Sequence, residues 1–275
     1  MDRRSQPVLV TGANSGIGLE TVLHVAHLGF RAVGSVRSEA KAESVARAAA
    51  AAGVPVETVL LDVTDAEGCA AVVDALRPWA VVNNAGYSGM GAIEDVTDEE
   101  ARDQLEAMVV APMRLARLSL PAMRELGGGR VVNVSSIFGL TTIPFNGWYQ
   151  AAKHALEALS DALRVEVARD GVKVVLVEPG GFKTGIWEEL DRDVAKRGPA
   201  SPYAAGYGRS RQILGLALPF LGQPESVAKV IGSALTARNP RPRYLVGRDA
   251  QAIALGQPWV PTVVRDRVTR VLLGL

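Results

Sequence analysis

An α/β fold on a doubly wound parallel sheet is what this sequence predicts, and three observations predict it. Short, almost wholly apolar β-branched runs alternate with longer stretches of three- and four-residue apolar period as far as residue 178. A glycine-rich turn, "TGANSGIG", stands between the first run and the first periodic stretch. Finally, 275 residues at 48% hydrophobic and 21% charged suit one large globular domain, and no repeat, linker or low-complexity tract divides them.

The strand-like runs are "PVLV" (7–10), "RAVGSV" (31–36), "VETVLL" (56–61), "WAVVNN" (79–84), "RVVNVS" (130–135) and "VKVVLVE" (172–178). They lack polar alternation, so helices must cover both faces of the sheet. Those helices are expected at 16–28, 39–52, 65–76, 98–126 and 148–169. In the last, Ala152, Ala155, Leu156, Leu159, Leu163 and Val167 mark a buried stripe. Right-handed crossovers between such elements build a Rossmann sheet. "GGGR" (127–130) closes one helix before the next strand, and Pro112 should break or kink the 98–126 helix near Val110–Ala111.

Beyond Glu178 the texture changes. Residues 179–224 are rich in Gly and Pro, carry Trp187, Tyr203, Tyr207 and Phe220, and show no clean period until "PESVAKVIGSALTA". A long irregular segment in a compact domain is read as a binding loop, so 185–222 is expected to be a substrate lid. "PRYLVG" (242–247) supplies a seventh strand, and 258–275 is a tail helix packed at a pocket or a subunit contact.

Thirty basic against twenty-nine acidic residues, with no basic arm, argue against a nucleic-acid partner. The single Cys69 forbids an intrachain disulfide and suits a reducing compartment; it reads as a small helix residue. "MDRRSQPVLVTG" turns polar after four apolar residues, too short for a signal peptide or membrane span, so a cytoplasmic location is expected. His24, His27 and His154 lack clustered Cys or acidic partners, and no metal is expected.

In the turn, Gly12, Gly16 and Gly18 have the spacing G-x-x-x-G-x-G, with Asn14, Ser15 and Ile17 between them. Glycine there admits a tight bend and a close approach of backbone to a pyrophosphate, which a helix N-terminus attracts. No Gly-Lys-Ser/Thr follows, which excludes a P-loop. Val36 occupies the place where an acidic residue would hold a ribose 2′-hydroxyl; Arg37, Ser38 and Lys41 follow instead. Such groups bind a 2′-phosphate, so NADP(H) is favoured over NAD(H). Tyr149 and Lys153 sit four residues apart, on one helix face.

"TGANSGIG" (11–18), "DVTD" (62–65), "NNAG" (83–86), "NVSSIFG" (133–139), "YQAAK" (149–153) and "PGGFKT" (179–184) occur in this order along most of the chain. Together they resemble the short-chain dehydrogenase/reductase family, most closely its 17β-hydroxysteroid and retinol dehydrogenase-like branches. The resemblance implies that Asp62 and Val63 flank an adenine, that Asn84, Ala85 and Gly86 line the cofactor cleft, and that Pro179, Gly180 and Thr184 meet the nicotinamide end. It implies Ser136, Tyr149 and Lys153 as the reacting set. Tyr149 would exchange a proton with the substrate oxygen, Ser136 would polarise that oxygen, and the Lys153 ammonium would lower the phenol's pKa. Ser135 is the adjacent alternative, pointing to the other strand face.

One departure stands out: where the family usually has a helix asparagine in a proton relay, this chain has Met108. A thioether cannot donate a hydrogen bond. The expected activity is therefore interconversion of a fairly apolar ketone or aldehyde with its alcohol, with Phe145, Trp148, Phe182 and Trp187 walling the pocket. The alternative, supported by Met108, is a non-catalytic NADP(H)-binding sensor or regulator. A nucleotide-sugar epimerase is a third reading, disfavoured by the short chain. The family's habits allow a homodimer or homotetramer.

Overall fold

The computed structural model describes residues 5–197 and 201–275, with the side chains of 186–191 and 258 excepted. Its strands are Pro7–Val10 (β1), Arg31–Val36 (β2), Glu57–Leu60 (β3), Ala80–Asn83 (β4), Arg130–Val134 (β5), Lys173–Pro179 (β6) and Arg243–Val246 (β7). They form one parallel sheet in the order β3-β2-β1-β4-β5-β6-β7. All six expected strands and the proposed seventh are present. The chain winds outward from β1 to β3, then returns to lay β4 against β1 with Val10 opposite Val82. That reversal leaves a crevice beyond the strand ends, where this class of sheet binds ligands.

The helices are Gly16–His27 (α1), Glu39–Ala52 (α2), Ala66–Leu76 (α3), Asp98–Leu105 (α4), Ala111–Glu125 (α5), Gly147–Glu166 (α6), Ile186–Arg197 (α7), Ala204–Ala217 (α8), Pro224–Thr236 (α9), Arg248–Gly256 (α10) and Thr262–Leu273 (α11). Two apolar clusters sandwich the sheet. Val22, Val25, Val45, Val227 and Ile231 bring α1, α2 and α9 onto one face. Cys69, Val73, Leu115, Leu120 and Met123 bring α3 and α5 onto the other. The apolar strands are explained by this double cover. At the sheet's far end Phe30 stacks on Trp79 with centroids 5.7 Å apart, and the Arg130 guanidinium lies 5.5 Å from the Trp79 ring centroid.

The long helix is interrupted where expected, just before Pro112: a π-helical turn, Glu106–Val110, carries Met108 and gives way to α5 at Ala111. One expectation needs correction. The 179–224 segment is not irregular, since it contains α7 and α8. Glycines at 206, 208 and 215 weaken the apolar period of α8 in the sequence. Tertiary contacts secure it instead: Tyr207 donates to Asp95 Oδ2 at 2.6 Å and accepts from the Ala92 amide at 2.6 Å. Tyr207, Phe145, Met90, Val194 and Leu273 form a third apolar cluster.

No helix among the described residues is long and apolar enough to cross a membrane. Because Ile231 of α9 is fully buried against the sheet, Ile231→Ala should cost about 2–5 kcal/mol. Urea denaturation would read this as a lower midpoint at unchanged slope; a loss well under 1 kcal/mol would contradict the packing described for α9.

Candidate active site

The glycine turn begins where β1 ends. Thr11 Oγ1 accepts from the Asn84 and Ala85 amides at 2.9 and 3.0 Å, and Asn84 Nδ2 donates to the Thr11 carbonyl at 2.9 Å. These bonds tie the turn to the segment after β4, across the crevice. Gly12 and Gly16 have φ of 66° and 52°, a region that disfavours side chains. A Cβ at Gly18 would lie 2.2 Å from the Gly12 carbonyl oxygen and 2.5 Å from Asn84 Nδ2. Ser15 caps α1 without a side-chain hydrogen bond, so its hydroxyl does not close off the helix's first amides. The turn therefore fits a diphosphate: a helix N-terminus behind a cradle that any side chain would fill.

At the other end of the cleft, β5 leads into Ser135 and Ser136, and the first turns of α6 bring Tyr149 and Lys153. Ser136, Tyr149 and Lys153 are all buried. Lys153 is only 6% exposed, so its ammonium needs a partner, and Nζ donates to the Val134 carbonyl at 2.9 Å. Nζ stands 5.6 Å from the centroid of the Tyr149 ring. The Ser136 hydroxyl neighbours the Tyr149 phenol closely enough to act on its pKa, and its Oγ accepts from the Phe138 amide at 3.2 Å. Ser135 turns its hydroxyl toward Gly139 and Glu157, the other side, as strand alternation requires.

A cleft of about 1210 Å³ joins the two ends. Its walls include Gly12, Asn14, Ser15, Gly16, Ile17 and Gly18, then Arg37, Asp62, Val63, Asn84, Ala85 and Gly86, and at the other end Ser136, Tyr149, Lys153, Pro179, Gly180, Phe182 and Thr184. Thr184 approaches the turn so closely that a Cβ on Gly16 would lie 3.1 Å from its Cγ2.

Residues 6–195 match the family model described as short chain dehydrogenase. The chain belongs to the short-chain dehydrogenase/reductase family. It is 32% identical to 17-beta-hydroxysteroid dehydrogenase type 6 of Bos taurus, over 95% of this chain and 86% of that one. A short-chain dehydrogenase structure from Streptomyces avermitilis is 34% identical, with a TM-score of 0.79 over 98% of this chain and 97% of that one. The actinorhodin polyketide ketoreductase, a point variant solved with NADPH, is 27% identical at a TM-score of 0.77, over 92% and 98%. Family membership makes the chain an oxidoreductase of Rossmann architecture.

Within this family frame, three expected residues stand apart from the cleft walls described. Ser38 is the exposed N-cap of α2, one position past Arg37. Phe145, at φ 67°, turns into Tyr203 and Tyr207, with ring centroids 5.8 and 4.7 Å away. Trp148 precedes Tyr149 by one residue and so points about 100° around the helix from it. The Trp187 side chain lies outside the described residues. Apolar walls come instead from Ile143, from Ile213, Leu214 and Ala217 of α8, and from Leu272 and Leu273 of α11. The tail helix was expected at a pocket or a subunit contact; the α8 residues were not expected, because that helix has no clean period.

The Tyr149 phenol also differs from expectation. Burial pushes its pKa up, and the neighbouring Ser136 hydroxyl offsets this only in part. Lys153 directs its charge at the Val134 carbonyl, and burial pushes its own pKa down to about 8 against the pull of Glu157. Met108 packs beside Tyr149 and Ala152, and a Cβ on Gly86 would touch its Cγ at 3.2 Å. The thioether thus fills the space behind the tyrosine with apolar volume.

A polar cluster that sequence reading missed lies behind Lys153. Arg243 bridges Glu178 at 2.6 Å, Asp161 at 2.6 Å and Glu157. Glu157 and Glu178 are buried, so burial, then the Glu157 charge, raises the Glu178 pKa despite Arg243. The folded protein then keeps a proton that the unfolded chain releases above its ordinary 4.5, so this group makes stability fall as pH rises from there. Glu178→Gln should flatten that decline in denaturation midpoints; a decline as steep as wild type would contradict the assignment.

Proposed function

We propose that the chain is an NADP(H)-dependent carbonyl reductase for a hydrophobic ketone or aldehyde, with Tyr149 as the proton donor. The observation that carries this reading is the convergence of a phenol, a serine hydroxyl and an ammonium, all buried, at one end of a cleft whose other end is a glycine-built anion cradle. Gly12, Asn14, Ser15, Gly16, Ile17 and Gly18 would hold the diphosphate, and Asp62, Val63, Asn84, Ala85 and Gly86 the adenosine side. Arg37 and Lys41 border the cleft where a 2′-phosphate would need cations. Pro179, Gly180 and Thr184 would shape the nicotinamide end. Bound there, the reduced nicotinamide supplies a hydride to the carbonyl carbon.

Negative charge then develops on the substrate oxygen, where Ser136 donates a hydrogen bond and Tyr149 delivers its proton. A phenol whose pKa is raised stays protonated at neutral pH, which suits it to the acid's part and hence to reduction. Lys153 holds positive charge beneath the ring and can hydrogen-bond the nicotinamide ribose. Ile143, Phe182, Leu214 and Leu272 form an apolar wall for the substrate's body, with α7 and α8 within 185–222 acting as its lid. The bovine relative, a 17-beta-hydroxysteroid dehydrogenase, supports a lipophilic substrate class.

NADPH oxidation against a panel of hydrophobic ketones tests the reading. Tyr149→Phe should lower kcat by about a hundredfold or more while NADPH still binds. A wild-type rate in that variant would overturn catalysis; tight NADPH binding without turnover on any ketone would favour a sensor. Arg37→Ala should raise KM for NADPH by roughly tenfold or more and leave that for NADH unchanged. The ammonium of Lys153 is fully present only below its lowered pKa, so kcat/KM for NADPH should fall as pH rises through about 8. Lys153→Met should lack that limb.

A further inference from the structure

Large apolar side chains are exposed on and just outside α8 and α11, the two helices that contribute Ile213, Leu214, Leu272 and Leu273 to the cleft wall. Leu216 at the end of α8 is 76% exposed, Phe220 beyond it 88%, Trp259 ahead of α11 85% and Val271 of α11 73%. On α11, Val264, Val268, Val271 and Leu272 follow the i, i+4, i+7, i+8 spacing of one helix stripe, and all are exposed. Arg265 and Arg267 border that stripe on either side. The stripe runs into the cleft, since Leu272 and the half-exposed Ile213 of α8 are wall residues as well.

We propose that this face docks the protein on an anionic lipid surface, with the cleft mouth opening against it. Charge is the first argument. Residues 204–220 and 259–275 hold five arginines and one aspartate, in a chain whose overall net charge is +1. An apolar stripe flanked by arginines, with an exposed tryptophan in the turn that leads into the helix, is the composition of a helix lying in a bilayer interface. A second copy of the chain fits poorly. A two-fold contact sets a patch against itself, opposing arginines to arginines with almost no acid to pair them. Continuity is the second argument: an apolar compound dissolved in lipid would enter the cleft without crossing water. The proposal goes beyond the reductase reading, and it is tested with neither cofactor nor substrate present, so either can fail alone.

The test is flotation of the full chain with vesicles of phosphatidylcholine alone or mixed with phosphatidylglycerol. Wild type should float with the mixed vesicles, much less with the neutral ones, and less as salt rises. Each arginine near an anionic leaflet is worth about a fivefold change in partition, so Arg267→Glu with Arg270→Glu should weaken binding roughly 25-fold or more. Val268→Ser with Val271→Ser should also release the protein; all four positions are exposed, and circular dichroism checks that each variant stays folded. Wild type remaining in the aqueous fraction, or floating equally with both vesicles, would overturn the proposal. So would a stable dimer in solution that Val271→Glu dissociates, because the second copy would then be the occupant.

Discussion

The hydrogen bond from Lys153 to the Val134 carbonyl is the constraint on which the candidate site depends. An ammonium buried this deeply is tolerated only with a partner, and the partner is the last residue of β5. The bond therefore fixes α6 against the end of that strand. A buried polar chain reinforces it: Asn83 donates to Asn133 at 2.8 Å, Asn133 to Ser160 at 2.8 Å, and Ser160 to the Leu156 carbonyl at 2.6 Å. Two strands and one helix are thus held in register behind the site. Tyr149, one turn before the lysine, has nowhere to go but beside Ser136.

Met108 changes the character of this arrangement without dismantling it. The π-helical turn that carries it brings a thioether against Gly86 and the tyrosine, where the family usually has an amide. Nothing on that side chain can donate a hydrogen bond; the lysine donates to the Val134 carbonyl and feels the Glu157 charge of the carboxylate cluster around Arg243. The consequence is a less polar setting for the phenol, consistent with its raised pKa.

The sheet was legible because its strands are continuous apolar runs and its turns are marked by glycine. The site was legible for a related reason: each of its parts lies at the end of one of those runs, so Gly12, Asn84, Ser136 and Pro179 could be placed by counting. What escaped depends on contacts distant in sequence. Glu157, Asp161, Glu178 and Arg243 look like ordinary surface charges on α6, β6 and β7 until folding stacks those elements. Of the expected aromatic walls Phe182 lines the cleft, but aromatic character alone does not give direction: Phe145 bends away into Tyr207, while Leu214 and Leu272, unremarkable in the sequence, face the cleft.

A crystal structure of the protein with NADP(H) and an unreactive ketone or alcohol tests the central claim most directly. The account predicts the diphosphate over the first turn of α1 and the ligand's oxygen about 3 Å from both Ser136 Oγ and the Tyr149 hydroxyl. A ligand oxygen bonded to neither hydroxyl, or a diphosphate seated away from the glycine turn, would contradict it.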